Sequence, residues 1–405
     1  MAFFFWGMAA AIVYVYAGYP GLLRVWARLR TRPIRRAGAD AHSPGISIII
    51  AARNEAARLP ARVRNLLALD YPAARRQIIV ASDGSTDDTL DQLAAFGEIV
   101  EVVSLPPGGK AAALNAAVAR ARHDIVVFAD ARQMFAPDAL RELTAPFVDP
   151  TVGAVTGELL LDCESALFAN RRADMDRRGR EARLRSADPD RRVHPDRRTA
   201  ASTIGDGVGV YWRYEKELRR LESSVWSTLG ATGAIYAMRR ALWRPLPADT
   251  ILDDVLAPMR VVLAGYRVVF NDAARAFDRA AVDADAESRR KVRTLAGNYQ
   301  ILRLEPRLLL PWRNPVWWQY LSHKVGRLLV PFAWLAAFAA NIVLADDSAW
   351  YQLLLAAQVA FLLLAGYGAI LELVSRRRAS STAAAAPTSA GPVIASAATA
   401  TREVA

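Results

Sequence analysis

A doubly wound α/β domain set between membrane-spanning segments is the fold class the sequence predicts, and three observations predict it. Four short apolar runs alternate with helical patterns between residues 46 and 130. Continuous runs of that kind suit parallel strands buried on both faces. Three longer, essentially uncharged stretches lie outside this region, one at the N-terminus and two after residue 327. The single cysteine, Cys163, excludes a disulfide framework and a Cys-based zinc site.

The apolar ends come first. Residues 2–23 carry no charge and are long enough to cross a hydrocarbon core of about 30 Å. Arg24, Arg28, Arg30, Arg32, Arg35 and Arg36 follow it, whereas a signal peptide carries its positive charge in front. The stretch therefore reads as a retained anchor, with the N-terminus outside and a basic cytoplasmic linker over 24–44. A second span is expected over 328–345, after Lys324 and Arg327 and before Asp346 and Asp347. A third, over 350–374, ends at Arg376, Arg377 and Arg378. Both patterns place residues 24–327 on the cytoplasmic side of a bacterial inner membrane. Residues 311–327, with Trp312, Trp317, Trp318 and Tyr320 among basic residues, predict an amphipathic helix lying in the headgroup layer. The Ala/Ser/Thr/Pro-rich segment 379–405 predicts a disordered tail.

The formal net charge is +12. Its arginines cluster beside the apolar segments and in an Arg- and Asp-rich stretch over 164–205, which reads as a flexible insertion. No aromatic residues interleave with the charge of that stretch, which argues against nucleic acid; the arginines flanking the apolar segments are the ones that point to an anionic membrane face.

The middle is read strand by strand. Strands are expected at 46–52, 77–82, 98–103 and 124–130, and helices at 54–69, 87–96 and 110–121. Ligands of such a sheet bind beyond the carboxyl ends of its strands. Those ends carry Ala51-Ala52-Arg53-Asn54-Glu55, then Ser82-Asp83-Gly84-Ser85-Thr86-Asp87-Asp88, then Gly108-Gly109-Lys110, then Asp130-Ala131-Arg132. Gly230-Ala231-Thr232-Gly233-Ala234 and Asp253-Asp254 follow, with Arg260 six residues beyond Asp254 and Arg290-Lys291-Val292-Arg293-Thr294 further on. Asp87 and Asp88 suit the first turn of a helix. The Gly108-Gly109-Lys110 turn offers backbone N–H groups and an ammonium to a diphosphate, although it is not a Walker A loop.

In this order the motifs resemble the family 2 glycosyltransferases, the inverting GT-A group that includes membrane synthases of cellulose, hyaluronan and poly-N-acetylglucosamine. The resemblance covers roughly residues 45–300. It implies a GT-A domain that binds a UDP-sugar through Ala51, Glu55, Asp83, Lys110, Asp130 and Arg293. Asp83 would accept the uracil N3–H, or else serve only as a loop-capping turn residue. Asp130 would hold a divalent cation, Mg²⁺ or Mn²⁺; Arg132 stands where the family has a second carboxylate, leaves one ligand, and offers its own charge to a phosphate. Asp254 would be the general base and Asp253 its helper, or the pair would cap the helix expected over 255–263. Gly230, Thr232 and Gly233 match the acceptor-side turn. Thr294 replaces the tryptophan by which processive relatives contact their acceptor.

The expected activity is inverting sugar transfer to a polysaccharide or lipid hydroxyl at the membrane, with accessory membrane subunits left open. The alternative is a membrane-anchored, catalytically silent protein that binds a nucleotide-sugar or polysaccharide.

Overall fold

The computed structural model describes residues 1–38, 43–162, 203–279 and 284–384. The expected insertion lies outside the described residues except for 203–205, which begin a helix, as does the tail from 385 onward.

Eight strands form one sheet: β1 (Ile46–Ala52), β2 (Arg76–Asp83), β3 (Val100–Leu105), β4 (Ile125–Ala129), β5 (Met134–Phe135), β6 (Val152–Asp162), β7 (Ile235–Arg239) and β8 (Arg267–Arg279). Their order is β3-β2-β1-β4-β7-β6-β8-β5. The four strands expected from sequence are the parallel half, with Ile46 opposite both Arg76 and Ile125. Beyond β4 the sheet turns mixed: β7 is antiparallel to β4 and β6, while β6 and β8 are parallel. Apolar alternation along β1 feeds two cores. Ile46, Ile48 and Ile50 pack with Leu59, Val63 and Leu66 of α2 (Leu59–Leu67). On the other face Ile49 packs with Ala113, Leu114 and Ala117 of α4 (Lys110–Arg120) and with Leu256 and Met259 of α7 (Asp253–Leu263). Both faces are therefore covered, which is why these strands read as unbroken apolar runs. Between α2 and α7 in sequence lie α3 (Thr89–Ala94), α5 (Ala139–Thr144) and α6 (Thr203–Val225).

Among the described residues three helices are long and apolar enough to cross a membrane: α1 over Ala2–Leu29, α9 over Trp317–Leu344, and Ala349–Leu371 within α10 (Ala349–Ala384). Helix α8 (Ala284–Leu304) precedes α9. The chain divides into two compact units, Met1–Ile12 with Phe332–Ala405, and Val13–Pro331. In the first unit Phe5 packs on Ala337, Ala340 and Leu344, and Asn341 Nδ2 donates to Gln358 Oε1 at 2.8 Å. An amide pair of this kind satisfies polar groups that lipid cannot.

Four boundaries differ from expectation. The headgroup-layer helix over 311–327 does not exist as such: residues 317–327 are the first turns of α9, and Gln319, Tyr320, Ser322 and His323 are buried in protein. The Trp318 ring packs on Tyr19 and Trp26 at 5.1 and 5.5 Å. Helix α1 runs to Leu29, so Arg24 and Arg28 lie on it. Residues 30–38 are no free linker, because the backbone N–H groups of Arg32 and Ala37 donate to Ser224 and Ala145 carbonyls at 2.8 and 3.0 Å. Helix α10 continues to Ala384, taking in the first residues of the expected tail.

Ile50 is fully buried in the parallel half of the sheet. Ile50→Ala is expected to cost about 2–5 kcal/mol and to lower the thermal unfolding midpoint by several degrees, measured on the detergent-solubilised full chain.

Candidate active site

The carboxyl ends of the strands carry the polar groups, and their loops stitch one another into place. Asn54, at φ 54°, accepts the Thr86 N–H on its Oδ1 at 2.8 Å and donates its own N–H to Ser85 Oγ at 3.1 Å. Asp87 Oδ2 accepts the Ala56 N–H at 3.2 Å and Asp87 Oδ1 the Thr89 N–H at 3.1 Å, which holds both loops and the start of α3. Asp87 lies two residues before α3 rather than in its first turn, and its structural role is to tie down the start of the helix.

Asp83 ends β2 and is 5 % exposed. Its Oδ1 accepts the N–H groups of Gly108 and Gly109 at 2.6 and 2.9 Å, and its Oδ2 faces the Arg53 guanidinium at 3.8 Å. This corrects the expected diphosphate cradle. The two glycine N–H groups are already consumed by a buried carboxylate, which needs them more than a solvated anion would. What the turn delivers is the next residue: Gly109, at φ 85°, swings the chain so that Lys110 opens α4.

Lys110 is the hub. Its Nζ lies 3.2 Å from Asp130 Oδ1 and 3.3 Å from Asp253 Oδ2. Enclosure by protein would lower this ammonium, but Asp253, Asp130 and Asp254 outweigh it and raise it above its ordinary value. Asp130 stays accessible, its side chain 36 % exposed, whereas Asp253 is nearly covered. Asp254 follows in the first turn of α7, so the helix reading of 253 and 254 and the clustering with Lys110 hold together. Asp254 Oδ2 accepts the Gly233 N–H at 3.2 Å, and its backbone carbonyl accepts the Ala231 N–H at 2.7 Å. A Cβ on Gly233 would sit 2.9 Å from Asp254 Oδ2. The small residue is there so that the turn can close on the carboxylate. Enclosure, then the Asp253 charge, push the Asp254 carboxyl up to about 6, against lowering by Lys110.

The remaining expected residues divide. Thr232 joins the cluster: its N–H donates to Thr156 Oγ1 at 2.8 Å and its Oγ1 accepts from Arg219 Nη1 at 2.6 Å. Gly230, at φ 142°, makes the bend that precedes it. Arg293 on α8 reaches the Ile251 carbonyl at 3.4 Å, and Gln300 Oε1 accepts the Ile251 N–H at 2.9 Å, so α8 braces the turn before Asp253. Ala51 lies within β1 opposite Ala81, and the Glu55 carboxylate is held by Arg58 at 2.8 Å. Arg132 points elsewhere: its Nε pairs with Asp278 Oδ2 at 3.1 Å, so the phosphate role considered for it has no support. Arg260 is structural, bound to Glu305 at 3.3 Å and to the Pro245 carbonyl at 3.0 Å.

Sequence reasoning missed Arg219 and Lys324. Arg219 lies on α6, just past the segment set aside as an insertion, and Lys324 counted only as charge flanking a span. Lys324 stands close enough to Asp254 to favour its ionised form. Only the partner of Thr232 and the packing of α9 reveal them.

Comparison with known proteins bears on the fold and the family. A mannosyltransferase from Pyrobaculum calidifontis, solved with GDP-Man and Mn²⁺, superimposes with a TM-score of 0.64 at 22% identity, over 89% of this chain and 91% of that one. The fold is that of the GT-A glycosyltransferases. Residues 47–203 match the model of glycosyl transferase family 2, so the chain carries a family 2 glycosyltransferase domain. A beta-monoglucosyldiacylglycerol synthase from Synechocystis is 35% identical over 134 residues, 32% of this chain and 28% of that protein. A poly-beta-1,6-N-acetyl-D-glucosamine synthase from Staphylococcus aureus is 31% identical over 128 residues, 31% of each. The matches thus span less than a third of the length of these curated relatives.

The Asp254 environment generates a stability prediction. With the folded carboxyl near 6 and an ordinary value of 3.8, ionising it costs stability. The cost is absent below the unfolded value, grows between the two, and is complete above about 6. Asp254→Asn should therefore unfold later than the wild type at pH 7–8, by about 1–3 kcal/mol, and match it near pH 4. Parallel melts across that range measure the difference.

Proposed function

We propose that the chain is an inverting glycosyltransferase that moves a sugar from a UDP-sugar to a hydroxyl of a lipid or polysaccharide at the cytoplasmic face of a bacterial inner membrane. One observation carries the reading. A carboxylate with a pKa near 6, Asp254, is aimed by the Gly233 N–H beside a Lys110–Asp130–Asp253 cluster at the carboxyl ends of the strands. A base in that range is ionised at neutral pH and still takes up a proton readily.

The donor diphosphate enters over Asp130 and Lys110, whose ammonium pairs with phosphate oxygens as it now pairs with carboxylates. Uracil lies against Asp83, where Oδ2 is the oxygen not committed to the glycine N–H groups. In the displacement, the acceptor oxygen bonds to the sugar C1 as the C1–O bond to phosphate breaks. The electron pair leaves with UDP, and the hydroxyl proton passes to Asp254. Arg293 and α8 hold the Ile251–Asp254 turn so that this carboxylate does not drift.

Among the described residues no group of three His, Cys, Asp or Glu side chains is placed to hold a metal. Asp130 and Asp253 nonetheless face a single cationic position, where the Lys110 Nζ stands, and their hard oxygens suit Mg²⁺ or Mn²⁺ completed by phosphate oxygens and water. Such an ion would neutralise the departing diphosphate. Support for a cation also comes from the P. calidifontis neighbour, solved with Mn²⁺.

The absence of an aromatic residue at position 294 favours single addition over chain growth. There Thr294 Oγ1 only donates to the Arg290 carbonyl, at 2.9 Å. The Synechocystis relative, named for a glucosyl-diacylglycerol product, supports a lipid acceptor.

With purified full-length protein in lipid nanodiscs, a panel of UDP-glucose, UDP-N-acetylglucosamine and GDP-mannose is expected to show turnover of a UDP-sugar. Asp254→Asn should lower turnover by about 10²–10⁴-fold, and the wild-type rate should rise with pH through an apparent pKa near 6. Retained donor binding without any turnover would return the silent-binding reading. Chelation of divalent ions should abolish transfer and added Mg²⁺ or Mn²⁺ restore it; activity indifferent to chelator would remove the cation from the site.

A further inference from the structure

The loop that carries Asp130 is closed by a carboxylate from another strand. Asp278, near the end of β8, takes the Arg132 Nε at 3.1 Å and the Gln133 Nε2 at 2.9 Å on the same oxygen, Oδ2. Its side chain is only 8 % exposed, so it is a largely dry carboxylate that depends on its donors. Asp130 and Arg132 are the open residues of this loop, while Ala131 and Gln133 are buried. Two residues apart, Asp130 and Arg132 have their Cα atoms separated by at most about 7 Å, well within the span of an arginine side chain.

The strand that follows the loop is held without Asp278. Met134 and Phe135 of β5 pair with Phe277 and Ala276 of β8, and the Ala136 N–H donates to the Arg275 carbonyl at 2.9 Å. Asn65 of α2 grips the same strand: its Oδ1 accepts the Phe135 N–H at 2.9 Å and its Nδ2 donates to the Phe135 carbonyl at 3.1 Å. What Asp278 adds is charge. Asp130 already faces one cation, the Lys110 Nζ at 3.2 Å. A guanidinium released beside it would offer its planar fork to the same carboxylate, and Asp130 would then be closed between two cations.

We propose that Asp278 is a positioning residue for the donor site: it holds the Arg132 guanidinium away from Asp130 and so keeps that carboxylate open to the divalent cation of a nucleoside diphosphate. The cation and the diphosphate rest on the proposed function; the competition of Asp278 with Asp130 for Arg132 does not. A carboxylate paired bidentately with a guanidinium has both oxygens engaged. An arginine two residues from Asp130 is therefore compatible with a cation there only if another acid takes its charge, and Asp278 is the acid that does so.

The test is Mn²⁺ binding to the full-length protein in dodecyl maltoside, with UDP or, in parallel, GDP present, read from the paramagnetic signal of free Mn²⁺. Asp278→Asn keeps the shape and an acceptor for Gln133 but removes the charge, and should weaken Mn²⁺ binding about tenfold, the scale of one charge-assisted contact. Arg132→Gln alone should bind as the wild type does, and Arg132→Gln with Asp278→Asn should return to the wild-type value. A double variant as weak as Asp278→Asn, or Arg132→Gln as weak on its own, would mean that the clamp only shapes the loop and would overturn the proposal. Wild-type affinity in Asp278→Asn would do the same. A second arm needs no metal. In EDTA, the shifts in unfolding midpoint caused by Arg132→Gln and Asp130→Asn should be non-additive in the Asp278→Asn background and additive where Asp278 is intact; additivity in both sinks the idea. A wild type that holds no Mn²⁺ with either nucleotide overturns it too, whether or not a UDP-sugar is turned over. The expected Mn²⁺ pattern without turnover of any UDP-sugar would end the proposed function and leave the role of Asp278 standing.

Discussion

Everything at the strand ends depends on the Lys110 ammonium. Asp130, Asp253 and Asp254 come from β4 and from the start of α7, and three carboxylates gathered this closely repel one another in a partly dry environment. Lys110 Nζ at 3.2 and 3.3 Å from two of them makes the assembly tolerable. The same contact explains the split between neighbouring acids. Asp253 takes the lysine, while Asp254, one residue on, takes a neutral backbone N–H from Gly233 at 3.2 Å. One carboxylate stands against the ammonium, and the other is left with a pKa raised by burial and by its neighbour's charge.

Much of this was legible in the sequence. Ile46–Ala52, Arg76–Asp83, Val100–Leu105 and Ile125–Ala129 read correctly because both faces of the parallel half are covered, which leaves apolar runs without alternation. Asp130 and Asp254 were singled out by their places in the motif order, and the structure sets both near Lys110. The antiparallel extension β7-β6-β8-β5 was not legible, since its pairing depends on contacts such as Thr156 opposite Tyr236, some 80 residues apart in sequence.

The errors share a physical cause. The Gly108-Gly109 turn looked like an anion cradle because glycine N–H groups before a helix are good donors; the sequence does not say that Asp83, 25 residues earlier, consumes them. Residues 311–327 looked interfacial because tryptophan beside basic residues marks the headgroup layer. Trp318 and His323 instead pack on Tyr19, Trp26 and the charged face of α6, while Trp312 stays exposed. Composition reports the polarity a segment can match. Which polar partner arrives first is a matter of tertiary contact.

That packing bears on how the catalytic domain is held. Helix α6 presents Glu215, Arg219 and Glu222 at helical spacing, so one face meets His323 and Arg327 of α9, Tyr19 of α1 and Thr232 of the turn that follows Gly230. Hydrogen bonds to buried carboxylates are directional and expensive to break singly, so they fix the roots of α1 and α9 against α6 better than apolar packing alone. Because Arg219 belongs to this face, the loop that aims Asp254 and the residues where the chain enters its apolar helices are registered by one set of contacts.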